Sequence, residues 1–316
     1  DKLAFGGADE TEGLTFSQLD RVSRAIGSFL AGRGLYREPV VVFMNRGPAA
    51  VAAFLGALQG GCYYVPIDEE MPRSRIDLIL ENLKPQGILC DESTLDTART
   101  FDFGGELWLY GEAAASEVRD EALRSVRQRA IDTDPIYVYF TSGSTGIPKG
   151  VAGSHRALIN YIEQLSETLG FDEDTVFANQ TPLYFDASLK DIFPTLKFGA
   201  TAYIMPKSLF RFPVQTLQFL IDHQINTLCW VVSALTMLSA FGALQETPPQ
   251  ALRTVAFVGE VFPVKQFNIW KRTLPQVRFT NLYGPTEGTG VCCYYHVERE
   301  FGPDEAIPVG RPFKNT

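Results

Sequence analysis

Several protein classes leave marks that this 316-residue chain does not carry. No apolar run reaches the roughly 18 residues of a membrane-spanning helix, and no secretory signal opens the sequence. The expectation is a cytoplasmic location with no membrane partner. No Lys/Arg run or basic patch is present. With 28 basic and 37 acidic residues the net charge is −9, which argues against nucleic acid as a main partner. Such an acidic balance mostly favours solubility. Only five cysteines occur: Cys62, Cys90, Cys229, Cys292 and Cys293. Their number is odd and their spacing suits no metal, so they read as reduced and mostly buried. Cys292 and Cys293 are neighbours in a strand-like run, which predicts side chains on opposite faces. No internal repeat and no low-complexity tract appears.

What is present is apolar bulk and alternation. Hydrophobic residues make up 45% of the chain, enough for a large core and for more than one domain or subdomain. Thr15 or Ser17 can cap a first helix that carries Leu19, Val22, Ile26, Phe29 and Leu30 at helical spacing. Strand-like Val40 to Met44, Tyr63 to Ile67 and Gln86 to Cys90 alternate with helical Pro48 to Gln59 and Pro72 to Leu83. Residues 92–133 are weaker, with Glu112 to Arg129 reading as one surface helix. After them the alternation resumes, through helices near 155–169, 187–197, 213–223, 233–244 and 263–273. This order predicts an α/β fold with largely parallel sheets, in two α/β subdomains with a boundary near 130–180. The ending at Thr316 has no capping element and reads as a cut within a larger protein.

One stretch organises the rest. Ile136 to Phe140 reads as a buried strand, and it gives way to Thr141, Ser142, Gly143, Ser144, Thr145 and Gly146. Glycines let backbone N–H groups converge on one point, and the hydroxyls add donors. Lys149 adds a positive charge. The set suits a phosphate chain. It is not the loop of P-loop ATPases, because Gly150 follows the lysine where Ser or Thr is required. A plain glycine-serine linker leaves the lysine unexplained.

A second constellation is Asn281-Leu282-Tyr283-Gly284-Pro285-Thr286-Glu287. A strand ends, the chain turns, and an amide, a ring, a hydroxyl and a carboxylate are presented together. Ligands of doubly wound sheets bind at the carboxyl ends of strands. A tyrosine ring can stack on a base, Asn281 can read a purine edge, and Glu287 can hold Mg²⁺. Alone, the segment is a loop with a turn. Beside the first loop it points to nucleotide binding.

Together the two segments resemble the phosphate loop and the Tyr-Gly-Pro-Thr-Glu motif of the adenylate-forming ligase superfamily. The nearer likeness is to amino-acid adenylation domains of nonribosomal peptide synthetases. Leu14 to Leu19, Gly60 to Asp68 and Phe185-Asp186-Ala187-Ser188 resemble further motifs of that family, in order, so the likeness spans nearly the whole chain. It implies stacked αβα subdomains forming the large N-terminal core of that fold, with the small C-terminal domain absent. It also implies a reaction of Mg·ATP with an amino acid. The products are aminoacyl-adenylate and pyrophosphate, and the acyl group then passes to the phosphopantetheine thiol of a peptidyl carrier protein, in cis or in trans. No protein nucleophile is needed, which agrees with three histidines and no triad.

By residue, the resemblance implies that Thr141, Ser142, Gly143, Ser144, Thr145, Gly146 and Lys149 cradle the β- and γ-phosphates. Gly259 and Glu260 lie beside the adenine, Asn281 meets its amino group and Tyr283 stacks on it, flanked by Leu282 and Gly284. Thr286 contacts the α-phosphate, and Glu287 binds Mg²⁺; with Lys149 these form the catalytic set. Phe185 and Asp186 mark the substrate end, Asp186 pairing with the α-ammonium; a helix N-cap is its other reading. The specificity positions fall on Asp186, Ala187, Lys190, Cys229, Ala256, Val258, Leu282, Gly290 and Val291. Lys190 has three readings: a partner for an acidic substrate side chain, an ion pair with Asp186 one helical turn back, or a solvent-facing lysine. The family's ribose-binding aspartate, hinge and late catalytic lysine would lie beyond Thr316. The chain alone is therefore expected to bind ATP or AMP weakly and adenylate poorly. Other readings are an acyl- or aryl-acid CoA ligase, a D-alanine–carrier-protein ligase, and a nucleotide-binding fragment without turnover.

Overall fold

A computed structural model describes residues 1–7, 12–142 and 146–316. The chain divides into two compact units. The first holds Asp1–Leu3, Leu14–Ile159 and Pro182–Asp186; the second holds Ala4–Gly13, Asn160–Thr181 and Ala187–Thr316.

The first unit is built on a six-stranded sheet. Its order is Glu106–Leu109, Gly87–Cys90, Pro39–Phe43, Tyr63–Ile67, Pro135–Thr141 and Lys149–Ser154. The first five strands run parallel, and Lys149–Ser154 is antiparallel to Pro135–Thr141. Pro39–Phe43 reads Pro-Val-Val-Val-Phe and is buried along its whole length, as a parallel strand covered on both faces must be. Val41, Phe43, Val65, Ile67 and Ile88 pack on Ile76, Ile79 and Leu80 of the helix Arg73–Leu83. Helix Phe16–Ala31 starts with a capping box. The Thr15 hydroxyl accepts from the Gln18 N–H, and the Gln18 side chain accepts from the Thr15 N–H. That helix crosses Pro48–Gln59 closely, because a Cβ on Gly56 would stand 2.5 Å from the Ile26 Cβ.

The expected single helix over Glu112 to Arg129 is two helices, Tyr110–Ala114 and Asp120–Arg129. The second has Asp120 and Glu121 in its first turn and Arg127 and Arg129 in its last, which suits the helix dipole.

The second unit carries the larger sheet. Its strands run Arg311–Pro312, Cys293–Val297, Arg278–Tyr283, Thr254–Val258, Thr227–Val231, Val176–Asn179, Thr201–Ile204, Leu3–Gly6 and Leu14–Thr15. Pairing is parallel from Arg278–Tyr283 to Leu3–Gly6 and antiparallel at the Cys293–Val297 end. Leu3–Gly6 lies before the first element read in the sequence; its Phe5 pairs with Ala202.

Side chains alternate along each strand. Leu228, Trp230, Val255, Phe257 and Phe279 enter one core with Leu235, Leu238, Phe267 and Trp270 from the helices Val232–Ala240 and Val264–Thr273. Both tryptophan N–H groups are satisfied: Trp230 donates to the Ala178 carbonyl at 2.7 Å and Trp270 to that of Leu235 at 3.0 Å. Cys229, Ala256 and Thr280 are register partners on the opposite face. Among the described residues, no helix is long and apolar enough to cross a membrane.

Candidate functional site

In the first unit, the strand Pro135–Thr141 ends where Thr141 pairs with Lys149 across the antiparallel ladder. Thr141 and Lys149 thus close the base of the connection between these two strands. Arg75 Nη2 donates to the Phe140 carbonyl at 2.9 Å and steadies the strand end. Ser142, Gly146 and Lys149 are exposed, and Thr141 is half-buried. Gly143, Ser144 and Thr145 lie outside the described residues. Gly146 has φ +79° with no atom within 4 Å of a Cβ position, so its glycine answers to backbone conformation rather than to space.

Phe185 is exposed, with its ring 4.5 Å from that of Tyr184. Tyr184 and Leu183 also line a cavity with Met44, Arg46, Ile67 and Asp68, at the carboxyl ends of two parallel strands. Asp186 opens a 3-10 turn, Asp186–Ser188, and the α-helix Leu189–Phe198 begins after it with Ser188 at the N-cap. Two expectations change here. Asp186 does not cap the helix. Nor do Asp186 and Lys190 share one continuous α-helix, because the 3-10 turn advances with three residues per turn.

In the second unit, the base-binding candidates sit at one strand end. Asn281 is 8% exposed, and its Nδ2 donates to the Pro308 carbonyl at 2.8 Å. That bond fixes the amide with its oxygen as the remaining acceptor, the polarity an amino group requires. Leu282 is buried beneath, and Tyr283 turns outward at 54% exposure. Phe257 pairs with Asn281, so Gly259 and Glu260 leave the sheet beside Tyr283; both are exposed.

Gly284 is fixed by crowding. A Cβ there would stand 2.5 Å from the Gly290 carbonyl oxygen, 2.5 Å from the Val291 Cα and 2.8 Å from the Cys292 nitrogen. These are backbone atoms that cannot rotate away. Between the crossing points, Thr286–Gly288 forms a 3-10 turn with Thr286 half-buried and Glu287 exposed.

The specificity positions of this unit share surroundings. Cys229, Ala256, Val258, Leu282 and Val291 are all buried. Cys229, Ala256 and Val258 alternate onto the sheet face opposite the tryptophan core. Ala187 is half-buried. Gly290 has φ +83° and faces Tyr161, whose ring would lie 2.7 Å from a Cβ. Tyr161 was not foreseen; nothing distinguishes it in sequence from any other aromatic on the apolar side of its helix.

Lys190 is 1% exposed, which removes the solvent-facing reading. Asp191 is also fully buried and accepts from Asn179 Nδ2 at 2.7 Å. Burial pushes the Cys229 thiol well above the usual range; Asp191 adds to the rise and Lys190 opposes it. Thus the ammonium and the carboxylate act on the same buried sulfur with opposite sign.

The donor set fits magnesium rather than a caged metal. No group of three or more His, Cys, Asp and Glu side chains able to hold a metal occurs among the described residues. Mg²⁺ commonly takes one or two carboxylates and completes its shell with water and substrate phosphates. Glu287, an exposed glutamate on a turn, has the chemistry of such a ligand.

Known proteins share the sequence and the fold of this chain. The chain is 32% identical over 318 residues to an L-proline–[L-prolyl-carrier protein] ligase of Pseudomonas fluorescens, covering 95% of this chain and 61% of that protein. It is 28% identical over 306 residues to a D-alanine–D-alanyl carrier protein ligase of Staphylococcus aureus, covering 95% and 60%. The chain thus spans about three-fifths of the length of these curated relatives. Among solved structures, the nonribosomal peptide synthetase FmoA3 superposes with a TM-score of 0.87 at 24% identity, over 100% of this chain and 33% of that one. That likeness shows the fold, the α/β large core of adenylate-forming enzymes. The family model for AMP-binding enzymes matches residues 1–316, and the chain belongs to that family.

Proposed function

We propose that this chain is the nucleotide- and amino-acid-binding core of a ligase that activates an amino acid as its adenylate for a carrier protein. The observation that carries this reading is the strand end at Asn281 to Gly284. There an oriented amide acceptor and an exposed aromatic ring stand together on a backbone crossing that only glycine permits. The amide reads the adenine amino group and the ring stacks on the base.

In the first half-reaction a carboxylate oxygen of the amino acid bonds to the α-phosphorus, and the bond to pyrophosphate breaks. In the second, a phosphopantetheine thiol attacks the acyl carbon and AMP leaves. Neither step needs a protein nucleophile. The residues orient the reactants and balance phosphate charge. Thr141 to Gly146 and Lys149 hold the β- and γ-phosphates, Thr286 meets the α-phosphate, and Glu287 would hold Mg²⁺. When bound, the ion neutralises phosphate charge. Asp186 pairs with the α-ammonium of the substrate. Ala187, Cys229, Ala256, Val258, Leu282, Gly290 and Val291 line the side-chain pocket.

The pocket favours an uncharged substrate side chain. Lys190 and Asp191 are both buried and both act on the Cys229 thiol, so a further carboxylate brought in by an acidic substrate would be costly to bury. The partner is a peptidyl carrier protein, in cis or in trans. ATP–pyrophosphate exchange by the full-length parent, run over a panel of amino acids, tests both points. Exchange that depends on a neutral amino acid is expected, with Glu and Asp inactive. Exchange supported only by a fatty or aryl acid would overturn the amino-acid assignment in favour of a CoA ligase.

A further inference from the structure

Two cysteines stand against the proposed base platform. Cys292 and Cys293 are half-buried, whereas Cys62, Cys90 and Cys229 are no more than 2% exposed. Their sulfurs are 3.9 Å apart, so the expected placement on opposite faces does not hold. The reason is that the strand begins at Cys293 and leaves Cys292 outside the pleat. Both residues are tied to Tyr283. The Cys292 N–H donates to the Tyr283 carbonyl at 2.8 Å, and Cys293 is the register partner of Tyr283. The Cys292 carbonyl accepts from the Phe313 N–H at 2.8 Å.

We infer that Cys292 and Cys293 form an oxidation site that controls the base-binding strand end, a hydroperoxide converting the pair to a vicinal disulfide. One thiol, as thiolate, attacks a peroxide oxygen, the O–O bond breaks, and a sulfenic acid and water (or an alcohol) result. The neighbouring thiol attacks that sulfur, the S–S bond forms, and a second water leaves. Two electrons pass from the sulfurs to the peroxide.

The bond cannot form on a resting backbone. A trans peptide holds successive Cα atoms about 3.8 Å apart. A relaxed disulfide wants roughly 4.4–6.8 Å, and its sulfurs about 2.05 Å. The backbone at 292–293 has to shift. It has little slack, because the Cys292 nitrogen already lies against Gly284 and both polar backbone groups of Cys292 are bonded. The displacement passes to Tyr283 and Gly284. Oxidation therefore misplaces the ring that would stack on adenine, and a dithiol reductant restores it.

This inference rests on the reading of Tyr283 as the adenine platform, and the test separates the two. The chain is treated with hydrogen peroxide, digested and mapped by mass spectrometry. AMP binding is followed by calorimetry, and hydrogen exchange of the 283–293 segment is recorded before and after. Expected are a Cys292–Cys293 disulfide reversed by dithiothreitol, faster exchange across the segment, and AMP affinity lower by about tenfold or more. C292S and C293S each abolish the response while keeping the exchange pattern of the reduced chain. Oxidation that stops at separate sulfinic acids, or a disulfide that leaves exchange unchanged, overturns the proposal. A reduced chain that binds no AMP counts against the platform reading alone, and hydrogen exchange still decides the thiol pair.

Discussion

The two loops that would meet a nucleotide are built in opposite ways. The one after Thr141 is held at its base by the Thr141–Lys149 pairing, and Ser142, Gly146 and Lys149 are exposed. The one after Tyr283 is clamped at its start, where Gly284 is pressed on the backbone of Gly290, Val291 and Cys292. A loop that wraps phosphates profits from hydroxyls and a long charged side chain that adapt to the ligand. A loop that presents one ring to one base profits from being fixed before the ligand arrives, since ordering then costs nothing on binding. Two glycines make the contrast measurable. Gly284 is required by space, and Gly146 by its dihedral angle.

The largest effect is expected at Gly284→Ala. Its methyl group meets fixed backbone, so stability falls by about 3 kcal/mol and AMP binding is lost; chemical denaturation and calorimetry measure both. A fully stable variant would show that the crossing gives way more easily than its contacts indicate. Lys149→Ala comes next. In the full-length parent the KM for ATP rises by the equivalent of about 1.5–3 kcal/mol, while that for the amino acid and the thermal midpoint hold. Tyr283→Ala costs about 1–3 kcal/mol of AMP affinity with no loss of stability, because the ring is largely exposed. Gly146→Ala is the mildest, about 1 kcal/mol from a positive φ with open space around it, read as a small shift in thermal midpoint. If Gly146→Ala proved as damaging as Gly284→Ala, the contrast between the loops would fail.

Much of this was legible in sequence where one local rule dominated. The helix cap read at Thr15 or Ser17 and found at Thr15, the apolar run read as Val40 to Met44 and found as Pro39–Phe43, and the turn after Tyr283 each carry their own signal. Failures occurred where the deciding partner was distant. Leu3–Gly6 becomes a strand through Thr201–Ile204, far along the chain. The break between Ala114 and Asp120 is set by packing, since Arg119 N–H donates to Ser28 Oγ at 2.9 Å. The 3-10 turn at Asp186 differs from an α-helix start by only roughly 10–20° in ψ, which periodicity does not register. Among candidate site residues, those in motifs carry a sequence signal. Tyr161 and Asp191 do not, because Tyr161 meets Gly290 and Asp191 acts on Cys229 only in the folded chain.

The antiparallel end of the larger sheet has a consequence for how the protein forms. Tyr283 pairs with Cys293, close by in sequence, whereas Phe5 must find Ala202. Closing a short loop sacrifices less chain entropy than closing a long one. The hairpin that carries Tyr283 is thus far more local than the parallel pairings of its sheet, each of which needs a crossover.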